Sequence, residues 1–298
     1  MPSPVFDRQF DPHYGETVSL TPTVRRIVAE NPSAFTFYGT GTYILGRGRV
    51  AVIDPGPRHP AHLAALRAAL SGETVEAILI THTHLDHSPL ARELKAETGA
   101  PTYGYGPHGG DRDGQTVEEG ADRDFVPDIA VKDGDRIDGT GWSVEAVHTP
   151  GHTSNHLCFA YPAEKALFSG DHVMGWSTSV ISPPDGDMAA YMASLEKLLT
   201  RDDELYYPTH GNPIRDPKRH VRDFIAHRRD REVQILICIA EGCGTIVDMV
   251  PAMYRDVPQK LHAAAARSVL AHLVQMTAEG RVICDTAEPT LRSRYSLP

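Results

Sequence analysis

Between residues 40 and 215 the apolar positions fall into short runs separated by stretches with a helical period. Residues 42–45 and 49–54 flank Gly46-Arg47-Gly48, the pattern of a β-hairpin closed by a glycine turn, and Asp54-Pro55-Gly56-Pro57 stops its second strand. Apolar residues at 63, 66 and 70 in an alanine-rich setting predict a helix over 62–70, followed by a strand at 75–80. A helix is expected over 89–97, with Ser88 as its N-cap, Pro89 near its first turn and Gly99 past its end. Residues 104–136 are dominated by Gly, Asp and Pro and read as a long loop bordering a substrate site. Strands are expected at 142–147, 156–161 and 166–169, then a helix with one apolar face at 188–199 and a short strand at 205–207. From residue 216 the pattern changes to a long helix bearing Arg and Lys, helices at 246–254 and 258–279, and a short apolar run at 282–284. That is the element order of a winged-helix module. The chain therefore divides into residues 1–215, of α/β (α+β) class, and a small helical domain over residues 216–298.

The strand ends carry the candidate chemistry. Directly after the run at 75–80 stands Thr81-His82-Thr83-His84-Leu85-Asp86-His87, four metal-ligand side chains within six residues. Residues two apart in extended chain point the same way, so His82 and His84 can grip one ion, while Asp86 and His87 fall beyond the strand end and can face a second. Later strands end in the same kind of residue: His152 after 142–147, Asp171 after 166–169 and His210 after 205–207.

Composition changes this picture little. The 298 residues carry a formal charge of −10, which gives the chain no bulk attraction for nucleic acid or anionic membrane. The charge is uneven: residues 216–298 hold 12 Lys+Arg and 10 Asp+Glu, or +2, against −12 for residues 1–215. Cys158, Cys238, Cys243 and Cys284 are scattered without a C-x-x-C pair, the pattern of reduced thiols in a cytoplasmic protein. No apolar stretch is long enough to span a membrane, and residues 1–11 lack the apolar run of a signal peptide.

With these residues in hand a resemblance can be stated. H-x-H-x-D-H at 82–87, Thr149-Pro150-Gly151-His152-Thr153, Ser169-Gly170-Asp171 and Pro208-Thr209-His210-Gly211 resemble, in order and interval, the metallo-β-lactamase superfamily over roughly residues 40–215. The layout beyond is similar to the β-lactamase-like protein 2 branch, whose members carry a small winged-helix-like domain and include single-strand-specific endoribonucleases. The resemblance implies a four-layer αβ/βα sandwich, with His82, His84 and His152 on one zinc and Asp86, His87 and His210 on the other. It places Asp171 as the bridge, so that Asp86 and Asp171 are the carboxylates of the catalytic centre. Imidazole and carboxylate suit Zn²⁺, with iron or manganese as alternatives, and a water shared by two such ions is acidified enough to serve as hydroxide nucleophile at neutral pH.

The branch points to a phosphodiester of single-stranded RNA as substrate, the superfamily at large to a small thioester, ester or lactone. Di-iron redox relatives place glutamate where this chain has His84, which disfavours that chemistry. A non-catalytic nucleic-acid-binding regulator is disfavoured by the complete ligand set. The alanine-rich segment 261–273 offers few side chains for reading base edges, so sequence-specific DNA binding is disfavoured too, and the segment is expected to pack on the first domain or on a second subunit of a homodimer. Around the ligands, Asp54 is placed to orient His82 or His84, and His156, His172 and Trp176 are candidates to line the pocket.

Overall fold

The structure, a computed structural model, describes residues 4–109, 120–255 and 257–298. Its strands form two main sheets. The first takes β1 (Val18–Ser19), β2 (Val24–Val28), β3 (Gly41–Arg47), β4 (Arg49–Ile53), β5 (Thr74–Leu79), β6 (Thr102–Gly104) and β7 (Ile129–Ala130), side by side in that order. Pairing is antiparallel from β1 to β4 and parallel from β4 to β7. Helix α1 (Pro60–Ala69) makes the β4–β5 crossover and α2 (Ala91–Thr98) the β5–β6 crossover. The second sheet runs β12-β11-β10-β9-β8, from β8 (Arg136–Gly139), β9 (Trp142–His148), β10 (Leu157–Tyr161), β11 (Ala166–Gly170) and β12 (Leu205–Pro208). Here α3 (Met188–Leu199) joins the parallel pair β11 and β12.

Side-chain alternation stacks these elements into four layers. Along β4, Ala51 and Ile53 face the second sheet while Val50 and Val52 face the helical side. Along β5, Ala77 and Leu79 point inward, and Ile78 points out to the α1 and α2 residues Leu66 and Leu94. On the other sheet Leu157, Phe159 and Tyr161 fill the space between sheets, while Cys158 and Ala160 pack on Tyr191, Leu195 and Leu198 of α3. The result is a mixed α/β αβ/βα sandwich.

The C-terminal part begins with α4 (Pro217–Ala240), capped by Asp216, whose carboxylate accepts the Arg219 N–H at 3.3 Å. Its first half places Val221, Phe224 and Ile225 in the cluster beneath α3. Its second half contributes Ile235, Cys238 and Ile239 to a separate core with α5 (Ile246–Met253), α6 (His262–Ala278) and the two-stranded pair β13 (Ile283–Cys284) and β14 (Tyr295–Ser296). The alanine-rich segment lies within α6, where Val269, Leu270, Ala271 and Leu273 are buried. No described helix is long and apolar enough to cross a membrane.

Two sequence expectations are corrected. Ser88 does not cap α2: its hydroxyl donates to Asp122 at 2.9 Å, and the helix begins at Ala91 with Leu90 at the cap position and no side-chain cap. The stretch 104–136 is not wholly loop, since it contains β7 and buries Phe125 and Val131; residues 110–119 of it lie outside the described residues.

Candidate metal centre

All seven candidate ligands come together at one edge of the sandwich, and all are buried. Six of them sit just beyond the carboxyl ends of strands with parallel neighbours, where loops converge in open α/β sheets, and His152 joins them from an antiparallel turn. His82 to His87 follow β5, Asp171 follows β11, His210 lies two residues past β12, and His152 sits in the turn between β9 and β10. Two glycines allow the close approaches this requires. A Cβ on Gly151, at φ 139°, would lie 2.3 Å from the Cα of Tyr191, so only glycine lets the His152 turn lie against α3. A Cβ on Gly170, at φ 53°, would lie 2.6 Å from His156 Nε2, just before Asp171.

The nitrogens of the first three histidines converge: His84 Nδ1 is 3.0 Å from His82 Nε2 and 3.3 Å from His152 Nε2. Four tetrahedral Zn–N bonds of ordinary length set their donors about 3.3 Å apart. A second set stands beside it. Asp86 Oδ2 is 3.2 Å from His87 Nε2 and 3.3 Å from His210 Nε2. Asp171 Oδ2 lies between the sets, 3.4 Å from His210 Nε2, 3.6 Å from His87 Nε2 and 4.0 Å from His152 Nε2. His82–His84–His152, His82–His87–Asp171 and Asp86–His87–His210 are each close enough to share one ion.

For His82, His87, His152 and His210 the surroundings decide which nitrogen faces the site. His152 Nδ1 donates to the Val180 carbonyl at 2.6 Å and His210 Nδ1 to the Gly39 carbonyl at 3.0 Å; a carbonyl only accepts, so each Nε2 is left facing the site. The Thr81 hydroxyl spends its one proton on Asp54 Oδ2 at 2.7 Å, so its oxygen accepts from His82 Nδ1 at 3.1 Å, and His82 Nε2 also faces inward. His87 Nδ1 lies 2.9 Å from Asp54 Oδ2, and Thr40 donates to Asp86 Oδ2 at 2.9 Å. Asp54, held at a φ of 48° that few non-glycine residues adopt, thus reaches His87 directly, and reaches His82 only through Thr81. The expected contact of its carboxylate with His82 or His84 itself is not made.

Charge is divided between the two sets. Burial, and then the neighbouring histidines, hold His82 and His84 well below the ordinary histidine range. Burial opposes charge at His87 and His210 also, but the carboxylates outweigh it: Asp86, Asp171 and Asp54 raise His87 well above its ordinary value, and Asp171 and Asp86 raise His210 to about 10. The same attraction overcomes burial at Asp86 and Asp171 and pulls both carboxyls down. His82 and His84 thus resist a proton, whereas His87 and His210 attract positive charge.

The remaining candidates lie around this centre. His156 accepts the Asp171 N–H at 3.2 Å through Nε2 and faces Thr149 at 2.9 Å through Nδ1, so it holds the backbone of Asp171 and has no nitrogen left for an ion. His172 is buried against Tyr191, ring centroids 4.7 Å apart, and neither nitrogen has a hydrogen-bond partner among the described residues. Trp176 stacks on Phe37 at 4.7 Å, facing a larger cleft beside the centre. Thr40, Thr81 and the carbonyls of Gly39 and Val180 were invisible in the sequence, because their roles come from strand register and chain folding rather than from residue type.

A buried set of histidines and aspartates in this fold marks a metal-dependent hydrolase with groups suited to a dinuclear site. Comparison with known proteins makes the assignment specific. Residues 36–210 match the metallo-beta-lactamase superfamily and residues 245–287 the beta-lactamase associated winged helix domain, and the chain belongs to the metallo-beta-lactamase superfamily. It is 34% identical over 277 residues to a beta-lactamase-like protein 2 homolog of Drosophila melanogaster, covering 88% of this chain and 90% of that one. It is 29% identical over 257 residues to an atrochrysone carboxyl ACP thioesterase of Claviceps purpurea, covering 82% and 76%. Among solved structures, a beta-lactamase domain protein from Burkholderia ambifaria superposes with a TM-score of 0.77 at 20% identity, covering 97% of this chain and 95% of that one.

Proposed function

We propose that this protein is a dinuclear zinc hydrolase of small acyl thioesters or esters. His82, His84 and His152 hold one ion, Asp86, His87 and His210 the other, and Asp171 stands between them. The observation that carries the reading is the set of donor separations from 3.0 to 4.0 Å, near the edges of tetrahedral sites, with the ring orientations of His82, His87, His152 and His210 fixed from outside. Zinc suits a set rich in imidazole better than iron does. When bound, the ions supply Lewis acidity and lower the pKa of water.

The protein's own groups position and exclude. Asp54 and Thr40 fix His87 and Asp86. Phe35, Met174 and Val180 wall a small cavity of about 20 Å³ against His84, Asp86, His152, Asp171 and His210, enough for a water-sized particle. In the reaction a water oxygen forms the new C–O bond, the C–S or C–O bond breaks, and the leaving thiol or alcohol takes the proton. No cysteine serves as nucleophile at the centre: Cys158 is fully buried and burial pushes its thiol up to about 12.

The thioesterase among the relatives supports an acyl substrate. A phosphodiester of single-stranded RNA is the second reading, favoured by arginines on the adjoining cleft and opposed by the charge of −12 on residues 1–215. The test compares a panel of thioesters with a short single-stranded RNA, using Asp171→Asn as blank, on protein whose metal is measured by mass spectrometry. Thioester hydrolysis that falls by about 10³-fold or more in the blank supports the reading. RNA cleavage lost in the blank, without thioester turnover, replaces it with the second.

A further inference from the structure

A cleft of about 500 Å³ lies between α4, α6 and the residues Tyr254, Val257 and Pro258 on one side and residues 176–180 on the other. Phe35 and Val180 line both this cleft and the small cavity against the ligands, so the cleft opens beside the metal centre. Its walls are largely apolar, with Phe6, Trp176, Tyr254 and Leu261 among them, yet Arg8, His227, Arg228 and Arg231 also line it and no described aspartate or glutamate does. For a chain of net charge −10 such a composition is unusual.

Arg228 is the pointed case. It is 2% exposed, and among the described residues no carboxylate pairs with it. One nitrogen donates to the Ser179 carbonyl and another reaches Ser268 Oγ at 3.5 Å, while Nε has no acceptor. Arg25, 5% exposed, pairs with Glu73 at 2.6 Å, and Arg26, also 5% exposed, donates to the Gly211 carbonyl but lies in the first sheet, away from the cleft. Arg231, one helical turn further on, lies 4.2 Å over the Tyr254 ring and donates to Gln234 and the Met253 carbonyl, and its Nε also lacks an acceptor. A buried guanidinium without a counter-ion is costly in solvation, and an anionic group on a ligand removes that cost. Guanidinium is also the side chain best shaped for carboxylate or phosphate.

We infer that the cleft binds an anionic group, carboxylate or phosphate, on a small thioester substrate, with Arg228 and Arg231 pairing with it while the scissile carbonyl reaches the cavity at the metal ligands. The inference rests on the acyl-hydrolase reading. The anion sits either on the acyl side or on the thiol side of the thioester, and three substrates separate these: hexanoyl-pantetheine, neutral; adipoyl-pantetheine, carboxylate on the acyl side; and hexanoyl-4′-phosphopantetheine, phosphate on the thiol side.

One anionic ester is expected to show a kcat/KM at least about tenfold above the neutral one, the size of a charge-assisted hydrogen bond. That ratio should fall below about threefold in Arg231→Gln and in Arg228→Gln, and recover in part in Arg231→Lys. Because each value is a ratio within one preparation, it is read on whatever fraction of a variant folds. Ratios near one in the wild type, or ratios unchanged in the variants, overturn the inference while leaving the hydrolase reading intact.

If none of the three esters is hydrolysed, the acyl reading has failed, and calorimetry then decides the cleft alone. Adipate binding about tenfold tighter than hexanoate, or 4′-phosphopantetheine than pantetheine, with the gain lost in the variants, supports the anion site. Equal affinities within both pairs overturn it, as does cleavage of single-stranded RNA that weakens in both arginine variants.

Discussion

Asp54 ties the end of β4 to the Thr81–His87 segment. Its carboxylate accepts from the Thr81 N–H at 2.8 Å and the Thr81 hydroxyl at 2.7 Å, and it faces His87 Nδ1 at 2.9 Å. Asp54→Asn keeps the shape but replaces one acceptor oxygen with a donor. It is expected to weaken zinc binding at the Asp86–His87–His210 set by about 10–100-fold, read by titration against a chelator; wild-type affinity in the variant would show that Asp54 merely shapes its turn. The raised histidines give a second prediction. With His87 above its ordinary value and His210 at about 10, both carry protons at neutral pH in metal-free protein, and an ion entering their set must displace them. Affinity there rises with pH toward 10 and binding releases about two protons, whereas His82 and His84, held low, release none. Calorimetry in buffers of different ionisation enthalpy measures this, and a release independent of which set fills would contradict it. The side chains that gather at the centre were legible in the sequence as candidate ligands because metal chemistry uses few residue types and strand ends recur as their place. The partner of Asp54 was not, since His87 lies 33 positions away and meets it only through the parallel register of β4 and β5.

At the scale of elements, glycines that place the ligands matter more than glycines at loop tips. Gly151→Ala drives a methyl into the backbone of α3 at a φ of 139° and is expected to cost about 2–4 kcal/mol with loss of metal from the His82–His84–His152 set. Gly72→Ala, at a φ of 79° with open space around it, should cost only about 1 kcal/mol and leave metal content unchanged. Denaturant unfolding and metal analysis of the two variants check the contrast, and equal effects would sink it. The hairpin of β3 and β4, the strand β5 and helix α3 were legible because their apolar residues keep a clear period. Strand β2 was not read as a strand, because Val24–Val28 carries two arginines and still lies buried: Arg25 is neutralised by Glu73 and Arg26 is held by the Gly211 carbonyl at 2.8 Å. Ser88 misled as a cap because its hydroxyl found Asp122 instead, a contact between distant residues that no local pattern announces.

Across the whole molecule α4 is the shared element. At 24 residues it spans about 36 Å, and its two halves belong to two different hydrophobic clusters. One cooperative thermal transition, reported alike by near-ultraviolet dichroism and by calorimetry, is therefore expected; two separated transitions would show that the helix does not couple the parts. The helical pattern of the C-terminal part was legible in the sequence, but not that the first half of α4 packs beneath α3, since a helix with charge along most of its length does not reveal which apolar positions serve which core. The arginines of α4 were legible as charge and not as a cleft lining, for which the fold had to bring Trp176 and Tyr254 opposite them. In the proposed site two sets of side chains hold two zinc ions. Anomalous diffraction from crystals of protein purified without added metal, recorded on both sides of the zinc edge, tests it most directly. Two zinc peaks are expected about 3.5–4 Å apart, one among His82, His84 and His152 and one among Asp86, His87 and His210. A single peak, peaks at the iron edge instead, or density on other residues would contradict it.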